Sequence, residues 1–330
     1  MKKILFIMIA VIMSAIGLSA CGKEGSPDPA KSDSIKIVAT IFPEYDWVMN
    51  ILGDNPGNAE VTLLLDNGVD LHSYNPTADD ILKVSTCDMF IYVGGESDAW
   101  VEDALKEAVN KDMTVIDLLD VLGDSVKEEE VVEGMEAEEE EEEEGEEGEE
   151  EIEYDEHVWL SLRAASKLCD AIEEGLEKID ASNASVYQSN LSSYKEKLNV
   201  LDEKYEEAVS EGTKDTVLFA DRFPFRYLTD DYGLKYYAAF VGCSAETEAS
   251  FETVIFLANK VDELSLHTVL TIEGKDHRIA ETVISSTASK DQEIKTLNSM
   301  QSCTSEDVKN GVTYVKIMED NLEVLREALR

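Results

Sequence analysis

The chain has 330 residues, and its 72 Asp and Glu against 28 Lys and Arg give a net charge of −44 at pH 7. Such a charge argues against nucleic acid as a partner, because phosphate contacts need a basic face and none is visible. The length is ample for two domains of ordinary size.

The N-terminus has the features of a bacterial lipoprotein signal. Two lysines precede a mostly apolar run, Ile4–Leu18, which is too short and wrongly flanked for a membrane span. The run leads into Leu-Ser-Ala-Cys21, and small residues before a cysteine are the pattern at which lipoproteins are cleaved and acylated. We therefore predict a signal peptide at 1–20, lipidation at Cys21 and a flexible tether at 21–34. The protein would then be anchored at the outer face of the cytoplasmic membrane.

Strands alternate with helices through the first half of the remaining chain. The predicted strands are 35–40, 60–65, 89–93 and 114–117, and the predicted helices begin at 43, 77, 100 and 158. This alternation predicts a mostly parallel sheet, with ligands bound at the carboxyl ends of its strands. The first α/β lobe is assigned to residues 35–182.

An acidic segment interrupts this lobe. Residues 128–156 hold 20 Asp and Glu and no Lys or Arg. Like charges at this density repel one another and cannot form a core, so the sequence predicts a disordered loop over 124–156. The loop either collects cations weakly or is only a solvated insertion.

A long amphipathic stretch, 183–211, predicts a single helix that joins two lobes. Its apolar residues recur at three- and four-residue spacing: Tyr187, Leu191, Tyr194, Leu198, Leu201 and Tyr205. Beyond it the alternation returns, with predicted strands at 216–220, 236–240 and 269–272 and a closing helix at 315–329. Residues 212–330 therefore form a second α/β lobe.

Two of the four histidines stand in short polar segments on either side of the acidic run. His72 lies in Asp-Leu-His72-Ser-Tyr-Asn-Pro and His157 in Asp-Glu-His157-Val-Trp-Leu. Neutral imidazole is the commonest protein ligand for a divalent metal, so this pair predicts a metal site. We expect metal affinity to fall below about pH 6, as imidazoles protonate.

The cysteines do not indicate a thiolate zinc site, because Cys87, Cys169, Cys243 and Cys303 are widely spaced and form no CxxC motif. If a disulfide forms, Cys243 and Cys303 are the pair to expect, since both follow predicted strand ends; the alternative is that all four remain thiols.

At this point the chain resembles the metal-binding lipoproteins of zinc and manganese ABC importers. The resemblance covers nearly the whole mature chain, in order. It is carried by the lipoprotein signal and by six further segments: Gly68–Thr77, Asp155–Ser161, Tyr232–Leu234, Glu246–Ser250, Gly311–Tyr314 and Met318–Leu322. It implies two α/β lobes joined by a rigid long helix, with one divalent cation in the cleft between them.

The resemblance also implies a ligand set. His72 and His157 fall on the ligands of the first lobe. The position of the next ligand is occupied by Arg222, which has no acceptor for a cation, so its neighbour Asp221 is the predicted ligand. Asn298 falls on the position of the last ligand. Two further candidates are Glu273, as a ligand or an orienting group, and His277, as a substitute histidine.

The function implied is capture of a divalent ion, Zn²⁺ first and Mn²⁺ as the alternative, and its delivery to an ABC permease and its ATPase. The protein would act as a monomer and not as an enzyme. A metallohydrolase is disfavoured because no HExxH or nucleophile motif is present. A metal-dependent adhesin remains a further alternative.

Overall fold

The structure, a computed structural model, describes residues 34–55, 57–136, 153–244, 248–274 and 276–330. The predicted signal peptide, Cys21, nearly all of the tether and the centre of the acidic loop lie outside these residues. Within the described ranges, no helix has both the length and the apolar character needed to cross a membrane.

The first lobe is built on four parallel strands in the order β2-β1-β3-β4. The strands are β1 (Lys36–Ala39), β2 (Glu60–Leu63), β3 (Met89–Tyr92) and β4 (Thr114–Asp117). The helices are α1 (Phe42–Leu52), α2 (Ala78–Thr86), α3 (Trp100–Lys106), α4 (Leu118–Leu122) and α5 (Leu162–Ile179). Phe90 and Ile91 of the central strand are fully buried, as expected for a parallel sheet covered on both faces.

Helix α2 begins where the sequence predicts. Thr77 accepts a hydrogen bond from the backbone N–H of Asp80, and the Asp80 carboxylate accepts in return from the N–H and hydroxyl of Thr77. This reciprocal cap satisfies donors that the first turn leaves without partners. It also fixes the end of the loop that carries His72.

The predicted long helix is confirmed as α6 (Ala184–Glu211). Its buried residues include all six members of the predicted apolar stripe, with Ala208 continuing it. Tyr205 lies near the end of the stripe, and its hydroxyl donates to the carbonyl of Met318, 2.7 Å away in the second lobe. The helix is therefore packed against both lobes along its length.

The second lobe repeats the parallel architecture in the order β6-β5-β7-β8. The strands are β5 (Thr216–Phe223), β6 (Lys235–Val241), β7 (Thr268–Thr271) and β8 (Glu293–Thr296). The helices are α7 (Arg226–Tyr232), α8 (Phe251–Leu264), α9 (Arg278–Ser286), α10 (Ser305–Lys309) and α11 (Tyr314–Ala328). The two-lobe α/β prediction is confirmed. Strand β8 and helix α10 were not predicted.

The two lobes close on one another around the segment that follows His157. Trp159 donates from its indole N–H to the carbonyl of Ser299 at 2.8 Å, and its own carbonyl accepts from the Tyr314 hydroxyl at 2.7 Å. The Tyr227 hydroxyl donates to the carbonyl of Asp155 at 2.8 Å. A single apolar core includes buried residues of both lobes and of α6. Residues 155–160 are thus held from both sides of the cleft.

Both ends of the acidic segment, for which the sequence predicts a disordered loop, belong to the described structure. Residues 124–136 and 153–156 are described, and Glu128 pairs with Tyr154 in an antiparallel bridge. Met135 is buried, and Glu136 pairs with Phe240 of the second lobe. These ends carry Val126, Val131, Val132 and Met135 among the acids, and those apolar side chains permit packing that a pure glutamate run does not.

A buried carboxyl closes the end of β1. Glu44 is fully buried and accepts from the backbone N–H groups of Thr40, at 2.7 Å, and Ile41, at 3.2 Å. Burial, with a smaller contribution from Asp98, raises the pKa of Glu44 from 4.5 to about 8. The folded chain therefore binds a proton at Glu44 over a pH range in which the unfolded chain has released it.

The substitution Glu44→Gln is expected to flatten part of the dependence of stability on pH. Because the folded pKa is the higher one, the free energy of unfolding falls as pH rises from about 4.5 to about 8. The ionisation cost at Glu44 is on the order of a few kcal/mol, and glutamine removes it. Urea unfolding at intervals from pH 5 to pH 9 should show that the free energy of unfolding of Glu44→Gln rises relative to that of the wild type as the pH increases. A constant difference across that range would contradict this assignment, and Glu107→Gln, at an exposed position, is the matched control.

Candidate metal centre

His72 lies on the loop between β2 and α2. The backbone N–H of His72 donates to the Asp70 carboxylate at 3.1 Å, and the buried side chain of Leu71 anchors the same turn. The Nδ1 atom of His72 lies 2.8 Å from the Ser97 hydroxyl and 3.6 Å from Glu156 Oε2. These two partners favour a proton on Nδ1 and leave the lone pair on Nε2.

His157 is fully buried where the acidic segment rejoins the fold. The Asp155 carboxylate accepts from its backbone N–H at 2.9 Å and lies 3.0 Å from its Nδ1 atom. A carboxylate can only accept, so Nδ1 of His157 carries the proton and Nε2 carries the lone pair. Carboxylate–histidine pairs of this kind orient imidazole rings in metal sites.

The two Nε2 atoms converge on a single point. They lie 3.1 Å apart, and the Gln301 side-chain nitrogen lies 3.1 Å from that of His72 and 2.7 Å from that of His157. An amide NH₂ has two hydrogens and can donate one to each lone pair. Gln301 therefore occupies the place toward which both lone pairs point.

Burial keeps the His72 ring neutral. Desolvation, followed by the proximity of His157, lowers the pKa of His72 from 6.5 to about 3. In this closed arrangement His72 stays unprotonated through pH 6. The fall in metal affinity below about pH 6 stays a prediction.

A cysteine joins the two histidines. Among the described residues, one group of His, Cys, Asp and Glu could hold a metal, and its members are His72, His157 and Cys243. The three ligand atoms all lie within 4.8 Å of one another. Cys243 follows the carboxyl end of β6, and it and Cys303 are present as thiols rather than as a disulfide. The sequence did not point to Cys243 as a ligand.

Arg222 ties together the two loops that carry His72 and Cys243. Its guanidinium donates to the Asp70 carboxylate at 2.7 Å and to the carbonyl of Ser244 at 3.2 Å. Asp70 in turn caps the turn of His72, and Ser244 follows Cys243 directly. Arg222 therefore acts as a strut across the cleft at the position where the resemblance implies a ligand.

The other predicted ligands lie outside the histidine–cysteine group. Asp221 accepts from the backbone N–H groups of Arg222, at 2.9 Å, and Ile272, at 3.2 Å. Asn298 accepts through its side-chain oxygen from the N–H of Met300 at 2.8 Å. His277 precedes the first turn of α9.

The Glu273 carboxylate is hydrogen-bonded to the turn that carries Gln301. It accepts from the backbone N–H groups of Ser299, at 2.6 Å, and Gln301, at 3.2 Å. Its contacts thus position Gln301 between the two imidazole rings. The roles of Asp221, Glu273 and Asn298 as ligands remain predictions.

A cavity of about 250 Å³ opens beside the histidines. His72 and Cys243 line it, together with four glutamates that come from the loop after β3 and from the ordered ends of the acidic segment: Glu96, Glu129, Glu153 and Glu156. A carboxylate-lined entrance concentrates cations next to the neutral nitrogen donors.

Comparison with known proteins decides the family. Residues 37–328 match the family described as zinc-uptake complex component A, periplasmic (ZnuA). The chain belongs to this family. The match confirms the resemblance seen in the sequence.

Two relatives show how far this likeness extends. The zinc-binding lipoprotein AdcA of Streptococcus pneumoniae serotype 4 is 31% identical over 333 residues, which is 99% of this chain and 61% of AdcA. The chain thus spans about three fifths of the AdcA length. The high-affinity zinc uptake system protein ZnuA of Bacillus subtilis is 28% identical over 328 residues, 98% of this chain and 97% of that protein.

Solved structures agree with the fold. The metal-dependent lipoprotein YcdH from Bacillus subtilis superposes with a TM-score of 0.72 at 25% identity, covering 90% of this chain and 99% of that one. The Zn(II)-bound ZnuA-like domain of Streptococcus pneumoniae AdcA gives a TM-score of 0.69 at 28% identity, with coverage of 90% and 99%.

Proposed function

We propose that this protein captures Zn²⁺ between its two lobes and delivers it to an ABC permease. The observation that carries the proposal is the pair of buried Nε2 atoms 3.1 Å apart. Two nitrogens of a tetrahedral zinc site, each about 2.0–2.1 Å from the metal, lie about 3.3 Å apart. The rings therefore stand close to the separation that zinc requires.

The donors favour zinc over manganese. Neutral imidazoles suit zinc, copper, iron and nickel, whereas manganese prefers carboxylate and water oxygen. The carboxylates nearest to the rings, Asp155 and Glu156, face Nδ1 rather than the point between the Nε2 atoms. The relatives named for zinc binding support the same choice.

The acidic segment contributes residues to the entrance of the cavity rather than ligands to the metal site. Glu129 and Glu153 belong to its ordered ends and line the cavity beside His72. We propose that they collect cations weakly and pass them inward, since carboxylates attract Zn²⁺, Ca²⁺ and Mg²⁺ without discriminating strongly among them. We further propose that Asp221, Glu273 and Asn298 support the metal site from the second lobe. Glu273 does so by positioning Gln301.

We propose further that the mature chain is a monomer anchored through Cys21 at the outer face of the cytoplasmic membrane. Acyl chains at that cysteine would hold it beside the permease, at about 0.8 kcal/mol for each buried methylene. The name of the AdcA relative, a lipoprotein, supports this anchor.

Two measurements test the proposal. Chelator competition on the chain beginning at Gly22 should give one tightly bound Zn²⁺ per molecule and weaker Mn²⁺, and the exposed-histidine control His267→Ala should match it. Cells that hold the cognate permease but lack this protein should recover zinc uptake with the wild type and recover much less with Cys21→Ala. Absence of stoichiometric zinc, or uptake that does not depend on the protein, would overturn the proposal.

A further inference from the structure

The turn after β6 adds a thiol to the histidine pair, and we propose that Cys243 is the third protein ligand of the captured metal. The centre would then be a two-histidine, one-thiolate site. This inference rests on the proposed function and specifies its ligand chemistry. It departs from the ligand set that the resemblance implies, in which the second lobe supplies Asp221 or Asn298.

The distances among Cys243, His72 and His157 support this assignment. The Cys243 sulfur and one ring nitrogen of each histidine all lie within 4.8 Å of one another. With zinc–sulfur and zinc–nitrogen bonds of about 2.3 and 2.0–2.1 Å, a tetrahedral site separates sulfur from nitrogen by about 3.5 Å. An inward movement of at most about 1.3 Å brings the thiol to that separation, which is within reach of a side-chain rotation.

The local packing holds Cys243 at this place. A Cβ atom on the preceding residue, Gly242, would lie 2.8 Å from Cε1 and 3.0 Å from Nδ1 of His157, so the backbone of the turn lies directly against that ring. On the other side of the thiol, Arg222 binds the carbonyl of Ser244 and the carboxylate of Asp70. The cysteine is therefore fixed between two contacts that both lead to the histidines.

The charge of the site is an independent reason to assign Cys243 as a ligand. Two neutral imidazoles and the amide of Gln301 carry no negative charge, and a divalent ion held by them alone would keep its full charge in a largely buried place. Asp155 and Glu156 are directed at the Nδ1 atoms. The Asp70 carboxylate lies 4.0 Å from Nε2 of His72, but it is paired with the Arg222 guanidinium at 2.7 Å. In the group of potential ligands found among the described residues, Cys243 is the member that becomes an anion.

The binding step balances without a redox partner. The S–H bond of Cys243 breaks, a bond forms between the sulfur and the metal, and the proton leaves to solvent. The Gln301 amide nitrogen, now 2.7 Å from Nε2 of His157, has to withdraw or turn its oxygen inward. A thiolate also makes the site softer, which favours zinc over manganese.

Cobalt titration of the reduced chain beginning at Gly22 tests the assignment. Co²⁺ bound by a thiolate gives an intense sulfur-to-metal charge-transfer band in the near ultraviolet, and the wild type should show it at one equivalent. Cys243→Ser should lose the band and bind zinc at least about tenfold more weakly, since loss even of a group that only orients a ligand costs about 10–100-fold. The matched control is Cys303→Ser, a nearby thiol outside the group, and it should keep both properties.

A second measurement needs no substitution at the site. Zinc should slow alkylation of Cys243 by iodoacetamide about tenfold or more in the wild type, because a coordinated sulfur is a poor nucleophile. Stoichiometric metal binding without the charge-transfer band and without protection of Cys243 would overturn the thiolate assignment alone. Failure of the wild type to bind any stoichiometric metal would instead overturn the proposed function.

Discussion

Alanine in place of His157 is expected to abolish stoichiometric zinc binding, with affinity lower by at least about 1000-fold. Loss of a group that merely orients a ligand already costs about 10–100-fold, and His157 supplies a ligand atom itself. His72→Ala should weaken binding to a similar degree, because the two Nε2 atoms face the same point. Competition with a chelator of known affinity measures both losses.

The two variants should differ in a second respect. His157 is fully buried, and its ring centroid lies 5.2 Å from that of Trp159, whereas the His72 side chain borders the cavity. Removing the His157 ring therefore leaves a void in the core and strips the Asp155 carboxylate of a donor. We expect the metal-free protein to lose about 2–4 kcal/mol of unfolding free energy with His157→Ala and less with His72→Ala.

Urea unfolding of the metal-free variants distinguishes these effects. The control is His267→Ala, which removes an exposed imidazole and should change neither zinc affinity nor stability. Equal destabilisation by His72→Ala and His157→Ala would contradict the packing described for His157. Retention of full-affinity zinc by either variant would contradict the site.

The sequence predicted the parts of the fold that depend on local pattern. The continuous apolar run 89–93 predicted β3, because a strand buried on both faces is apolar throughout. The three- and four-residue spacing of apolar residues along 183–211 predicted α6. Strand β8 left none, because Glu293, Lys295 and Thr296 surround a single apolar residue and the strand lies at the edge of its sheet. Edge strands are not required to be apolar.

The histidines could also be found from sequence, because each lies in a distinctive polar segment. Cys243 and Gln301 could not, since neither belongs to a motif and their relation to His157 is made only by folding. One general rule did apply to Cys243: it follows the carboxyl end of a parallel strand, where ligands gather. Matching by position suggested Asn298 and, as the neighbour of Arg222, Asp221. A match by position does not reveal that their side chains accept hydrogen bonds from backbone N–H groups.

Gly242→Ala is expected to damage the metal centre without touching a ligand. The added methyl group would lie 2.8 Å from Cε1 of His157 and 3.0 Å from the carbonyl oxygen of Phe223, and a real Cβ does not approach its neighbours so closely without a shift. Because Phe223 presents backbone, the strain falls on the His157 ring or on the turn that carries Cys243. We expect zinc affinity to fall about 10–100-fold, comparable to the loss of an orienting group, and stability to fall by about 1–3 kcal/mol.

Gly233→Ala separates these two effects. Gly233 has a φ of +67° and no atom within 4 Å of an added Cβ, so alanine there strains the backbone at the end of α7 but contacts nothing in the site. It should lower stability by about 1–2 kcal/mol and leave zinc affinity unchanged. If Gly242→Ala behaves in the same way, the close approach of this turn to His157 has no part in holding the metal. If only Gly242→Ala weakens zinc, the second lobe positions the imidazole through backbone contact, whichever side chain completes the ligand set.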